Sequence, residues 1–146
     1  MSKQQTDNPS VTTSVLIAAE PSAVWTVLTD PDIVSQAFFG ADIATDWNVG
    51  SPITFSGEWQ GKQFEDKGEI VAVEPPQRLR FTHFSPLSGE PDVPENYHTV
   101  TFDLAPVDGD TRLTLTQTNA KTEEERAHSA TTWMQVLAQI KRAAEE

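Results

Sequence analysis

The sequence predicts an α+β fold in which a curved antiparallel sheet grips one long C-terminal helix, with two short helices after the first strand. Three observations predict it. Proline opens two short apolar segments, at Pro21 and Pro31. Between Ile53 and Thr118, apolar and polar residues recur with a period of two, the pattern of strands with one covered face. From Thr122 onward the period becomes helical.

The elements follow in order. Residues 1–10, MSKQQTDNPS, are polar and read as a disordered segment ahead of a single domain at 11–146. Residues 11–18, VTTSVLIA, read as a strand. Glu20-Pro21 opens a helix, because proline at the first helical position forgoes only an unused N–H. Val24, Val27 and Leu28 form its apolar face, with Trp25 beside them as helix-to-sheet core. Asp30 caps and Pro31 starts a second helix, which runs to about Phe38 and ends at Gly40.

Ile53, Phe55, Gly57 and Trp59 then alternate with Thr54, Ser56 and Glu58. Gln60-Gly61 has the composition of a two-residue hairpin turn. Strands at residues 64–73 and 78–84 flank the turn Glu-Pro-Pro-Gln. Strands at 97–104 and 111–118 flank Asp108-Gly109-Asp110. Thr122 and Glu125 fit a capping box, and Ala130, Trp133, Leu137 and Ile140 follow at helical spacing. A helix over 123–144 would be about 33 Å long. Sequence-adjacent antiparallel strands make one sheet, and the long helix must cover its apolar face.

Composition narrows the function classes. The formal charge is −12, with 10 Lys and Arg against 22 Asp and Glu. The cations are scattered, which argues against nucleic acid and anionic membrane surfaces as partners. No apolar run approaches the ~20 residues of a membrane span. The N-terminus has no apolar core of a secretory signal. The absence of cysteine excludes disulfides, thiolate zinc sites and a cysteine nucleophile. These features lead to the expectation of a cytoplasmic protein. There is no phosphate loop, dinucleotide fingerprint or nucleophile elbow, so no cofactor, no metal and no catalytic motif is expected.

Strand phase brings particular side chains together. The apolar phase of 78–84 is Leu79, Phe81, His83, and that of 97–104 is His98, Val100, Phe102, Leu104. Pairing these strands as a hairpin sets Phe81 opposite Val100 and His83 opposite His98. The Pro75-Pro76 turn sets Ile70 opposite Phe81 and Gly68 opposite His83, which puts Asp66 diagonally beside His83. Gln117 comes up beside Val100. Asp66, His83, His98 and Gln117 thus form a polar group in an apolar wall. Such a group can orient a ligand, supply an Asp–His general base, or simply sit at a wet strand end. Phe55, Trp59, Phe64, Phe81, Phe102 and Trp133 share the inward phase, as core or as pocket lining. The proline-containing loop at 85–96 is either a lid over the cavity mouth or a solvated hairpin loop. His128 falls on the surface of the long helix.

Four segments carry a resemblance: PSAVWTVLTDPDIV at 21–34, GEIVAVEPPQRLRFTHF at 68–84, DGDTRLTLTQT at 108–118 and TTWMQVLAQI at 131–140. In this order they resemble the SRPBCC superfamily, the START-like helix-grip fold. Within it, they resemble the branch related to the activator of the heat-shock-protein ATPase. Where relatives often show Trp-Phe-Gly, this chain has Phe38-Phe39-Gly40, and Thr132 stands where a glycine often precedes the tryptophan. The resemblance implies a cavity between sheet and C-terminal helix for an apolar or aromatic small molecule. It also implies two alternatives, a cyclase- or hydrolase-like enzyme using Asp66–His83 as base, and a co-chaperone that stimulates a heat-shock ATPase. The leading expectation is non-catalytic binding. Phe55, Trp59, Phe81, Phe102 and Trp133 would shape the pocket, and His83, His98, Asp66 and Gln117 would place a polar group of the ligand.

Overall fold

A computed structural model describes residues 9–146, and the disordered segment expected at 1–10 lies mostly outside them. Its last part is tied down, for the Pro9 carbonyl accepts a hydrogen bond from Ala120 N at 3.0 Å. Seven strands form one antiparallel sheet: β1 (Val11–Ile17), β2 (Asp42–Ala44), β3 (Pro52–Trp59), β4 (Lys62–Glu74), β5 (Arg78–His83), β6 (His98–Val107) and β7 (Asp110–Gln117). The spatial order is β1-β7-β6-β5-β4-β3-β2. Helices α1 (Pro21–Thr29) and α2 (Pro31–Ala37) follow β1, and α3 (Glu123–Glu145) closes the chain. This is the expected helix-grip architecture.

The local chemistry that marks each boundary acts as anticipated. Asp30 Oδ1 accepts from Asp32 N at 3.0 Å, capping α2. Thr122 Oγ1 accepts from Glu125 N at 3.0 Å, and Glu125 reaches back to Lys121 N at 2.6 Å, one residue earlier than a standard capping box. Gln60 and Gly61 both have positive φ, 53° and 79°, as a tight hairpin turn with the twist of its strands requires.

Three features depart from the sequence-based reading. The short edge strand β2 lies in a stretch, between Gly40 and Ile53, to which the sequence assigns no element. Two single-turn 3₁₀ helices, Pro86–Ser88 and Pro94–Asn96, lie within the loop after β5. The β4–β5 pairing also shifts register between Ile70 and Ala72, a β-bulge at Val71. Beyond this bulge Ile70 faces Phe81, as strand phase anticipates.

The core lies between the inward face of the sheet and the three helices. Ile17, Ile70, Leu79, Phe102, Leu113 and Leu115 from the strands meet Val24 and Leu28 of α1, Val34 of α2, and Val136, Leu137 and Ile140 of α3, all buried. α3 spans about 35 Å, long enough to cross the whole sheet. Trp25 packs against this core while partly exposed.

The loop at 85–96 turns away from the helix. Phe84 and Tyr97 stack with ring centroids 5.1 Å apart. Both lie in the outward phase, alternating with His83 and His98. Asn119 Nδ2 donates to the carbonyls of Glu95 and Tyr97 at 2.8 and 3.0 Å, and Lys121 pairs with Glu90 at 2.8 Å. The loop therefore straps the outer face of the sheet. The lid reading is corrected, because Phe84 and Tyr97 at its ends point outward, Phe84 buried and Tyr97 half-buried beneath it.

Candidate functional site

Four strands and one helix converge on the polar group. Asp66 and His83 stand on adjacent strands β4 and β5, and His83 Nε2 lies 3.0 Å from Asp66 Oδ2. The side chains are 17% and 28% exposed, so solvent screens this contact only in part. A carboxylate oxygen accepts, so Nε2 carries a proton, and in the neutral His83 ring Nδ1 carries the lone pair. His83 pairs with His98 across β5 and β6, and their rings are near-parallel with centroids 6.4 Å apart.

His98 Nδ1 lies 3.1 Å from the Thr118 carbonyl and 3.3 Å from Gln117 Nε2. The carbonyl can only accept, so the shorter contact assigns the proton to Nδ1 and leaves Nε2 as the acceptor. Burial depresses the His98 pKa, and neighbouring His83 adds to this, against the opposing Thr118 hydrogen bond. The ring is therefore neutral near pH 7. Gln117 Oε1 accepts from the Trp133 indole N–H, which ties α3 to β7.

An aromatic wall runs on from this group. His83 meets Phe55 edge-on at 5.6 Å, Phe55 meets Phe81 at 5.7 Å, and Phe81 meets Phe102 at 6.3 Å. Phe38 lies against both Phe55, at 5.6 Å, and Trp133, at 5.9 Å. Sequence reasoning placed Phe38 at a helix end and missed this role. The available signal was the apolar run Ala37-Phe38-Phe39, in which one ring must turn inward. Phe38 does, and Phe39 is 65% exposed. Phe64 packs at the margin of the core. Trp59 pairs its backbone with Lys62, and its side chain lies outside the described part of the structure.

Little open space remains where the wall meets α1 and α2. A void of about 10 Å³ remains, lined by Phe38, Trp47, Phe55, Phe81, Phe102 and their aliphatic neighbours. That is about the room of one water. Larger hollows lie elsewhere and are open. One of about 590 Å³ is under the strap on the outer face, and one of about 380 Å³ is between α2 and the end of α3. Neither is lined by Asp66, His83 or His98. One polar atom stands out within the site: Asp66 Oδ1 is buried without a hydrogen-bond partner among the described residues. Leaving a buried acceptor unmet costs roughly 1–3 kcal/mol.

Among the described residues, no group of three or more His, Asp or Glu side chains is placed to hold a metal ion. No helix of the described residues is long and apolar enough to cross a membrane.

Comparison with solved structures places this architecture among known ones. The chain is 39% identical to ChR145 from Cytophaga hutchinsonii, with 92% of each chain covered and a TM-score of 0.81. The Aha1 dimer from Colwellia psychrerythraea shares the fold at 22% identity, covering 94% of this chain and 96% of that one, with a TM-score of 0.72. CalU16 from Micromonospora echinospora shares it at 21% identity, covering 92% of this chain and 75% of that one, with a TM-score of 0.71. No curated protein sequence matches the chain. The family model described as "Activator of Hsp90 ATPase homolog 1-like protein" matches residues 18–145. With its seven-stranded sheet closed on a long C-terminal helix, the chain belongs to that family, within the SRPBCC helix-grip superfamily.

Proposed function

We propose that the protein binds an apolar or aromatic small molecule, without chemical turnover, between the inward face of the sheet and α3. One observation carries this reading. Asp66, His83, His98 and Gln117 gather at the end of a continuous aromatic wall, and together they leave hydrogen-bonding capacity unspent. An apolar slot with a few convergent polar groups is the general form of a small-molecule site.

The closed interior sets a condition on binding, since a ligand must displace a side chain. Phe38 is the side chain best placed to move. It follows the last turn of α2, and the next two residues, Phe39 and Gly40, have φ of 59° and 83°. No strand ladder holds this segment. Rotation of Phe38 outward would vacate the volume of a benzene ring against Phe55 and Trp133.

Titration of the full chain with naphthalene, followed by tryptophan fluorescence and calorimetry, tests the reading. Saturable binding that is weakened by Phe38→Trp, which fills the slot, supports it. Absence of saturable binding, or binding indifferent to Phe38→Trp, counts against it.

The 3.0 Å Asp66–His83 contact favours a second reading. Asp66 orients His83 so that Nδ1 can act as a general base in a cyclase- or hydrolase-like reaction. Turnover of an aromatic ester or polyketide-like substrate, abolished by both His83→Gln and Asp66→Asn, would favour it over binding alone. A co-chaperone role would show instead as stimulation of a heat-shock ATPase that is insensitive to these substitutions.

A further inference from the structure

We infer that the ligand meets this site through a hydrogen-bond donor, as a neutral aromatic hydroxyl compound does, and that the site rejects carboxylates. The inference rests on the binding reading above and adds the chemical class. It comes from the fate of each polar atom.

Two histidines are pinned by partners that can only accept. Asp66 Oδ2 holds the proton on His83 Nε2, and the Thr118 carbonyl holds the proton on His98 Nδ1. Neither ring can change tautomer without setting a lone pair against a lone pair. His83 Nδ1 and His98 Nε2 are therefore both acceptors, and neither has a hydrogen-bond partner among the described residues. Asp66 Oδ1 is a third acceptor, buried and unmet. The indole N–H of Trp133 would be a donor, but Gln117 Oε1 already takes it. The polar end of the slot thus offers three acceptors and no free ring N–H, against one side-chain amide donor, Gln117 Nε2, which sits 3.3 Å from His98 Nδ1.

Charge points the same way. A carboxylate ligand needs a cation beside it or a set of donors. Along the inward phase of β4 the nearest cation is Lys62, at the hairpin tip, roughly 13 Å from Asp66 by strand rise. Lys67 points outward and pairs with Asp92, and Lys121 is committed to Glu90 and Asn96. An anionic group here would face Asp66, and Lys121, the cation nearest His98, is already paired with Glu90.

Phe38, Phe55 and His83 follow one another at ring-centroid distances of 5.6 and 5.6 Å, so a two-ring body that displaces Phe38 would lie along Phe55 with its hydroxyl toward His83 and Asp66. The donated hydrogen bond goes to Asp66 Oδ1, the charged acceptor of the three.

Three matched probes test the inference on the unmodified full chain by calorimetry: naphthalene, 2-naphthol and 2-naphthoate. 2-Naphthol is expected to bind about tenfold tighter than naphthalene, since a hydrogen bond to a charged acceptor carries at least that factor. 2-Naphthoate is expected to bind weaker than naphthalene. In Asp66→Leu the ratio of 2-naphthol to naphthalene affinity, both measured on that variant, should fall to about twofold or less. Equal affinity for naphthalene and 2-naphthol would overturn the donor inference and leave the pocket standing, with Asp66 Oδ1 then served by water alone. Tightest binding of 2-naphthoate would overturn it as well. No binding of any of the three would overturn the binding reading and this inference with it.

Discussion

Gly68 and Thr82 approach so closely that a Cβ on Gly68 would fall 1.7 Å from the Thr82 carbonyl oxygen. No side chain survives at that distance, so the two backbones meet only because this position is glycine. The contact lies two residues from Asp66 and one from His83. It fixes how near β4 and β5 come where the polar group sits.

Gly68→Ala should therefore force the strands apart. The expected cost is about 3 kcal/mol, at the upper end for overpacking, because backbone rather than a flexible side chain must yield. Urea unfolding measures it, and a loss below about 1 kcal/mol would mean the sheet absorbs the methyl without strain. Separation of β4 from β5 should also free His83 from Asp66, visible as changed His83 ring chemical shifts by NMR.

Stability should depend on pH through His98. Burial lowers its pKa below the ordinary value of 6.5. The unfolded chain then takes up a proton first as pH falls, so stability is full above about pH 6.5 and declines toward the lower folded pKa. Denaturation midpoints at pH 7.5 and 5 should differ by more in the wild type than in His98→Gln. Equal pH dependence in the two proteins would show that His98 is not the cause.

The Trp133–Gln117 hydrogen bond couples α3 to the sheet. Trp133→Phe should cost about 1 kcal/mol beyond any packing loss, because it leaves Gln117 Oε1 without its donor. A double-mutant cycle with Gln117→Leu isolates the bond. A coupling energy indistinguishable from zero would mean that packing alone holds the helix there.

Truncation at Phe38 separates stability from access. Phe38→Ala should destabilise by about 2 kcal/mol, less than a fully buried phenylalanine, because the ring is half-buried. It should bind naphthalene more tightly than the wild type, since the ligand no longer has to displace a ring. Weaker binding would identify Phe38 as a contact rather than a plug.

The strap over the outer face should depend on its buried anchors. Asn119 is fully buried and donates to two loop carbonyls, so Asn119→Ala should cost about 2 kcal/mol. Lys67→Gln removes an exposed ion pair with Asp92 and should leave the unfolding midpoint unchanged within error. The opposite ranking would make the strap an electrostatic latch.

The facing of His83 and His98 was legible because strand phase is a strict period of two, and both histidines continue an apolar phase. The contact of Asp66 with His83 followed from the same phase. The bulge at Val71 was not legible, since one extra residue in a strand leaves no mark on composition. β2 was not, since Asp42–Ala44 has too few residues to show a period. The orientation of the strap was available in principle. Phe84 and Tyr97 are large, apolar in body and outward in phase, and such residues need a cover. The near-absence of empty space was out of reach, because it depends on how Phe38 and Trp47 pack from segments without regular period.

β1 ends the sheet, yet its last backbone groups are not left open. Lys141 Nζ donates to the Leu16 carbonyl at 3.1 Å, and the Ala18 N–H donates to Glu145 at 2.8 Å. Both partners come from the final turns of α3. At the far border, β2 is a three-residue strand. The end of β1 and the short β2 therefore offer little bare ladder to a stray chain, so pairing at the end of β1 would first require the last turns of α3 to peel away. Loosening the end of that helix should therefore expose this part of the edge to pairing.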